Sequence, residues 1–430
     1  MKNLFIFVFL CFTLNACKSQ ENDSIIIPPD EEFPQDFTAI IDNNDPFKNY
    51  LYSLPDKITT LSTNSTYNII PTTTEKFVFK SKDDINTVYS VLSYPQQKGK
   101  YPTILILHGG GGNAEGLLGE VEAFAKQGYV AMALDLPGLC GFDNTPNSSG
   151  PWKARTNGET PRFEVGEDPK NNTLFDALIA AIEGFNLLTS RDNVDKLNVG
   201  ITGYSWGGYT TTMLSGLTRD RVKAAYSVYG SGYYDKQSFW TKIISDLPQA
   251  TRETWLKYYD AGRRAAFITA PFFMEAAVND TYFGPESVLE TFNAMPGAKK
   301  LYWGANLNHK RIEGAENMKK SYFEYFLKNK GKAPIAISIL NDEKQVDGSH
   351  KITANIGAAS LSEIKSVKLV YSEPNTDWTQ KKWIEIDAEN INGIYTAILP
   401  KTVIEKNVSY YLQLIDKTNV QTSSLIVTPL

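Results

Sequence analysis

Cysteine and histidine are scarce in these 430 residues, limited to Cys11, Cys17 and Cys140 and to His108, His309 and His350. A disulfide scaffold or a Cys/His zinc module needs more of both, so each is excluded before any motif is sought. Chemistry that needs an imidazole has three candidates. Basic charge is also short: 43 Lys and Arg stand against 48 Asp and Glu, and a formal charge of -5 leaves no field to attract nucleic acid. No internal repeat of propeller or solenoid period occurs. What is present, 42% apolar, 12% aromatic and 21% charged residues, is the composition of a folded chain of two or three domains.

The apolar run 4–14 is too short to span a bilayer as a helix and has the length of a signal-peptide core. It ends in Leu14-Asn15-Ala16-Cys17, which resembles the lipobox of bacterial lipoproteins. The resemblance implies that residues 1–16 are removed and that Cys17 is acylated. Because Lys18 rather than Asp follows, it also implies carriage to the outer membrane, as a periplasmic or surface-exposed lipoprotein. Residues 17–55 are polar and include Pro28-Pro29-Asp30-Glu31-Glu32, the pattern of a flexible tether. Cys140 is then the one thiol left, read as a small hydrophobe.

Residues 56–331 alternate strand-like and helix-like segments, which predicts an α/β domain with a mostly parallel central sheet. Runs 76–80 and 88–92 alternate as a hairpin; 103–107, 129–134, 197–202, 224–228, 271–278 and 300–303 are continuous apolar runs, as in strands covered on both faces. Helical spacing covers 119–127, 173–188, 206–217, 285–295 and 313–327. Residues 136–172 form a Gly/Pro/Asn-rich stretch without periodicity, long enough to suggest a functional loop. From 332 to 430 the pattern becomes six short alternating strands, predicting an immunoglobulin-like β-sandwich.

The chemistry centres on Gly203-Tyr204-Ser205-Trp206-Gly207-Gly208, between an apolar strand and a helix. In so tight a turn the serine is strained and its hydroxyl projects at the carboxyl edge of the sheet, while side chains two residues to either side would strike crossing backbone. A serine hydroxyl needs an imidazole to take its proton, and the imidazole needs a carboxylate to fix its tautomer. Asp280 and His309 each follow a predicted strand, in the chain order such a site requires. His108 precedes the serine and His350 lies in the sandwich, so neither suits the base; Asp135 also lies upstream of Ser205 and suits a structural or substrate contact better than the acid. In His108-Gly109-Gly110-Gly111-Gly112, backbone N–H groups can reach a developing oxyanion together with the N–H of Trp206. Gly110 is the expected donor, with Gly109 and Gly111 as neighbours in register, and His108 the structural support of that loop.

These residues resemble the α/β-hydrolase superfamily over residues 74–330. The elbow, the Asn279-Asp280 turn and the Asn306-Leu307-Asn308-His309 loop, on a core without a cap, resemble the dienelactone hydrolase, acetyl xylan esterase and prolyl-oligopeptidase catalytic-domain branch. The resemblance implies an esterase with the triad Ser205, Asp280 and His309, acting without metal or cofactor on an ester substrate, in the first instance an acetylated carbohydrate. Dienelactone hydrolases proper use a Cys nucleophile where Ser205 stands, which favours ester or peptide bonds over that lactone chemistry. Two alternatives stay open: a peptidase with the same machinery, although fewer than 60 residues of mature chain precede this core, and a glycan-binding lipoprotein whose sandwich does the binding. The loop 136–172 carries Trp152, Lys153, Arg155 and Arg162. It is expected to lie over the site, with Trp152 as a stacking platform and an arginine, taken as Arg155, on a polar or acidic substrate group. Tyr204 is the third expected substrate contact, and Trp206, Tyr229, Tyr233, Tyr234 and Tyr282 lie toward the same edge.

Overall fold

The continuous Val, Ile, Leu and Ala runs form the buried strands of one large sheet, because only a strand covered by helices on both faces has no exposed side to keep polar. In the computed structural model the described residues are 40–428, apart from 68, 142–143, 156–159, 167, 358–360 and 407. The signal run, Cys17 and the tether up to residue 39 lie outside the described residues. The sheet contains β1 (Ile58–Thr66), β2 (Thr72–Ser81), β3 (Asn86–Pro95), β4 (Tyr101–Leu107), β5 (Val130–Leu134), β6 (Val194–Tyr204), β7 (Ala224–Val228), β8 (Phe272–Ala277) and β9 (Lys299–Gly304). Their order is β1-β2-β3-β5-β4-β6-β7-β8-β9, parallel from β5 onward and antiparallel at the β1 end. This is the expected α/β-hydrolase core. Strand β1 carries mostly exposed Thr, Ser and Asn, so no apolar face advertises it.

Helices α1 (Leu118–Ala125), α2 (Thr173–Thr189), α3 (Trp206–Thr218), α7 (Pro285–Ala294) and α8 (Ala315–Lys328) cover the sheet close to their predicted bounds. Three short helices, α4 (Thr241–Asp246), α5 (Gln249–Tyr258) and α6 (Ala261–Arg264), fill the β7–β8 connection. The core is thus not wholly without a cap, since Trp240, at the head of this insertion, reaches the cleft beside Ser205.

The tether is shorter than its composition suggests. Phe47, Tyr50 and Leu51 are buried, and the Phe47 ring lies 5.6 Å from Phe175 and 5.7 Å from Tyr259. Asp45 pairs with Arg264 at 2.9 Å with both side chains 0% exposed. A buried guanidinium requires a carboxylate, so an acidic residue that reads as solvated is what fastens residues 40–55 to the core.

Beyond α8, strands β10 (Ile337–Lys344), β11 (His350–Ile356), β14 (Glu389–Ile391) and β15 (Ile394–Leu399) form one antiparallel sheet. Strands β12 (Ile364–Ser372), β13 (Trp383–Asp387), β16 (Tyr410–Asp416) and β17 (Gln421–Ser423) form the other. The orders β10-β11-β15-β14 and β13-β12-β16-β17 correspond to the ABED and C′CFG sheets of an immunoglobulin-type sandwich. Val367, Leu369, Leu412 and Leu414 point into its core. The alternate residues Val370 and Tyr411, with Trp383, point the other way and belong to the core of the α/β domain. The described residues accordingly hold together as one compact unit.

Candidate active site

The turn at Ser205 is set by contacts that no side chain could survive. A Cβ on Gly203 would stand 2.3 Å from Gly207 O, and one on Gly207 would stand 2.1 Å from Leu107 O. Between them Ser205 takes φ 58° and ψ -120°, a costly conformation for a non-glycine residue, and its N–H donates to Val228 O at 2.8 Å. The elbow closes β6 into α3, whose first residue is Trp206. Its N–H, like any at a helix start, has no intrahelical carbonyl and is available to an anion.

Ser205 Oγ lies 3.0 Å from His309 Nε2, and His309 Nδ1 lies 2.8 Å from Asp280 Oδ2. Asp280 is fully buried, and its Oδ1 accepts from the backbone N–H of Tyr282 at 2.7 Å and of Phe283 at 3.2 Å. These bonds hold the carboxylate aimed at the imidazole. With Nδ1–H donated to Asp280, Nε2 is left to accept the Ser205 proton.

The asparagines around Asp280 and His309 tie their loops together. Asn308 N–H donates to Asn279 Oδ1 at 3.0 Å, and Thr281 N–H donates to Asn308 Oδ1 at 2.8 Å. Asn306 and Asn308 adopt φ 55° and 52°, left-handed values that asparagine tolerates better than most residues. The tyrosine hydroxyls of Tyr204 and Tyr229 donate to the backbone oxygens of His309 and Lys310. Arg311 grips buried Glu275 through Nε at 2.7 Å and a terminal nitrogen at 2.6 Å. Tyr204 lines the cleft as expected, but its hydroxyl serves His309.

The polyglycine loop follows the same logic. Leu136 N–H donates to His108 Nε2 at 2.9 Å, so Nδ1 carries the proton and donates to Gly109 O at 2.7 Å. Burial pushes the His108 pKa down to about 4, keeping the ring neutral. Gly112 N–H also donates to Gly109 O, and Gly111 N–H to Leu139 O. The trans peptide whose oxygen is pinned in this way directs the N–H of Gly110 to the opposite side. Gly111 is committed elsewhere, which leaves Gly110 and Gly109 as donors; a Cβ on Gly110 would meet Trp206 Cδ1 at 2.8 Å.

Ser205 opens into a cleft of about 470 Å³ lined by Gly109, Gly110, Gly112, Arg162, Tyr204, Trp206, Trp240, Tyr282 and His309. Two expectations for the long loop fail here. Trp152 is 1% exposed and lies outside this lining, because its indole packs inward where a stacking platform would need a free face. Arg155 donates to Asn171 O and is also absent from the cleft. The arginine that arrives is Arg162, 5.1 Å above the Trp206 ring, its carbonyl held by Trp255 Nε1 and Asn172 Nδ2 at 2.9 Å each. Trp240, 4.8 Å from Trp206, was not foreseen. Its signal was the aromatic pair Phe239-Trp240 in an otherwise polar segment. Cys140 is buried, with its thiol pKa pushed up to about 12 by burial, while His350 pairs with Asp342 in the sandwich.

Residues 88–298 match the Dienelactone hydrolase family. The curated acetyl esterase Axe7A of Xylanibacter ruminicola is 24% identical over 237 residues, which is 52% of this chain and 53% of that protein. The chain therefore spans about half the length of this relative. Among solved structures, the acetyl xylan esterase from Paenibacillus sp. R4 superposes with a TM-score of 0.54 at 18% identity, covering 65% of this chain and 92% of that one. Acetyl xylan esterase 1 from Thermoanaerobacterium sp. JW/SL YS485 gives 0.52 at 18%, covering 64% and 92%. At such identities these two likenesses concern the fold.

Proposed function

The chain carries a dienelactone hydrolase family domain, and from that premise we propose that it is a serine-dependent hydrolase of carboxylic esters whose substrates are acetylated carbohydrates. The observation that carries the reading is the hydrogen-bonded series Asp280, His309, Ser205 at 2.8 and 3.0 Å, open to a cleft. Ser205 Oγ attacks the acyl carbon as its proton passes to His309 Nε2, and the tetrahedral oxyanion is held by the N–H groups of Gly110 and Trp206. Collapse breaks the ester bond, with His309 returning the proton to the departing alcohol. Water then enters, gives a proton to His309 and releases the acid from Ser205.

The acetyl group is suggested by what the relatives are called, and the sugar by the cleft. Tyr282, an exposed ring, stands at its wall, and exposed Phe239 lies 5.4 Å from it at the rim, while Trp206 and Trp240 are buried and back the wall. Purified residues 18–430 should release acetate from acetylated xylan faster than ferulate from feruloylated oligosaccharides. Cleavage of Pro-containing dipeptide amides at a rate exceeding that of the esters would overturn the reading in favour of a peptidase. The same proposal places the protein on a membrane as a lipoprotein through Cys17. Replacing Cys17 with Ser should move the activity from the membrane to the soluble fraction; an unchanged distribution would refute the anchor.

A further inference from the structure

Two of the three triad loops lie at the open end of the sheet. Ser205 follows β6, flanked by strands on both sides, whereas Asp280 and His309 follow β8 and β9, and β9 is the edge strand. An edge strand has no neighbour to fix the loop beyond it. Here that place is taken by the sandwich. Trp303 N–H, on β9, donates to Ser423 Oγ at 3.0 Å, and the Tyr411 hydroxyl donates to Trp303 O at 3.3 Å. Asn306, three residues before the base, exchanges two hydrogen bonds with Trp383: its Nδ2 donates to Trp383 O at 2.8 Å and its Oδ1 accepts from Trp383 N–H at 2.9 Å. Trp378 Nε1–H donates to the backbone oxygen of Asp280 at 2.8 Å.

We propose that the C-terminal sandwich is part of the catalytic centre, with Trp378 and Trp383 as positioning residues that hold the Asp280 turn and the His309 loop in register with Ser205. Neither touches the cleft. Trp378 acts on Asp280 through its peptide, and Trp383 acts on His309 through Asn306. Asn279 and Asn308 join the two loops, so the brace holds both at once. The sandwich is on this account no detachable carbohydrate-binding module, since the outer face of its second sheet, Val370, Trp383 and Tyr411, is buried in the core of the hydrolase domain.

This inference rests on the triad reading, and the test separates the two. In the full chain, Trp378→Phe keeps the ring and removes the N–H that Asp280 accepts. Asn306→Gly tolerates the left-handed backbone and removes both bonds to Trp383. Asn392→Gly makes the same change at another left-handed asparagine, φ 53°, in an exposed turn of the sandwich. With p-nitrophenyl acetate, Trp378→Phe and Asn306→Gly should each lower kcat about tenfold, with KM moving by less than about twofold, because displacement of a reacting group by a fraction of an ångström is felt in the chemical step. Asn392→Gly should leave both constants unchanged. Trp378 is only half-buried, so its variant folds and is decisive should Asn306→Gly fail to. Wild-type kcat in Trp378→Phe, or a loss carried by KM alone, overturns the proposal. Ser205→Ala is the parallel control: if it is inactive while Trp378→Phe is fully active, only the brace falls, and if it keeps wild-type turnover, the triad falls and the brace with it.

Discussion

Ser205 is held by its own sequence neighbours, and His309 by residues far along the chain. The glycines at 203 and 207 and the strand entering the turn leave Ser205 a single conformation, so five consecutive residues specify it. The loop from Asn306 to Arg311 has no such local compulsion. Its carbonyls go to Tyr204 and Tyr229, its amides and guanidinium to Asn279, Thr281 and Glu275, and its first residue to Trp383. Close packing fixes Ser205, while a web of hydrogen bonds fixes His309. The first should fail all at once and the second by degrees.

Replacing Asp280 with Asn bears on the web at its centre. It keeps the shape but removes the charge that orients His309, and kcat should fall about 10⁴-fold, measured with p-nitrophenyl acetate. Asn308→Gly, which preserves the left-handed backbone while cutting the link to the acid turn, should lower kcat by about tenfold or somewhat more with little change in Tm. A matching fall in Tm would erase the contrast with the elbow. Gly207→Ala probes that elbow. With its new methyl against the Leu107 carbonyl, stability should drop by about 1–3 kcal/mol in urea unfolding, together with activity. Loss of activity at full stability would mean that the elbow is held no more rigidly than the loop.

A pH-dependent effect concerns the polyglycine loop, where a buried neutral His108 combines both modes. Its folded pKa is lowered to about 4 from an ordinary 6.5, so below pH 6.5 the unfolded chain takes the proton first. Its contribution to stability is complete above that pH and should fall steadily as pH drops toward 4. His108→Gln should flatten this part of the profile between pH 6.5 and 4; an unchanged slope would show that other groups set it.

The same contrast explains what could be read in advance. The strand, the Gly-x-Ser-x-Gly elbow and the order of acid and base are local patterns, and Ser205, Asp280 and His309 are brought together as those patterns imply. The rest depends on distant partners. Residues 40–55 look like tether until Arg264 is seen to need Asp45, and Trp152 looks like a platform until its burial is known. Trp383 and Tyr411 read as outward residues of a sandwich strand, and only the fold shows that outward means toward the hydrolase core. A large aromatic on the supposedly wet face of a strand was the available signal. Helices α4 and α6 were missed because they have only six and four residues, and α5 because most of its residues are polar, and so Trp240 just before α4 was missed as well.

The account depends most directly on Ser205 as nucleophile. Hydrolysis of p-nitrophenyl acetate by the full-length chain and by its Ser205→Ala variant, at equal Tm, tests this. Turnover in the variant should be lower by about 10⁶-fold, a greater loss than that of Asp280→Asn; turnover equal to that of the wild type would contradict the assignment.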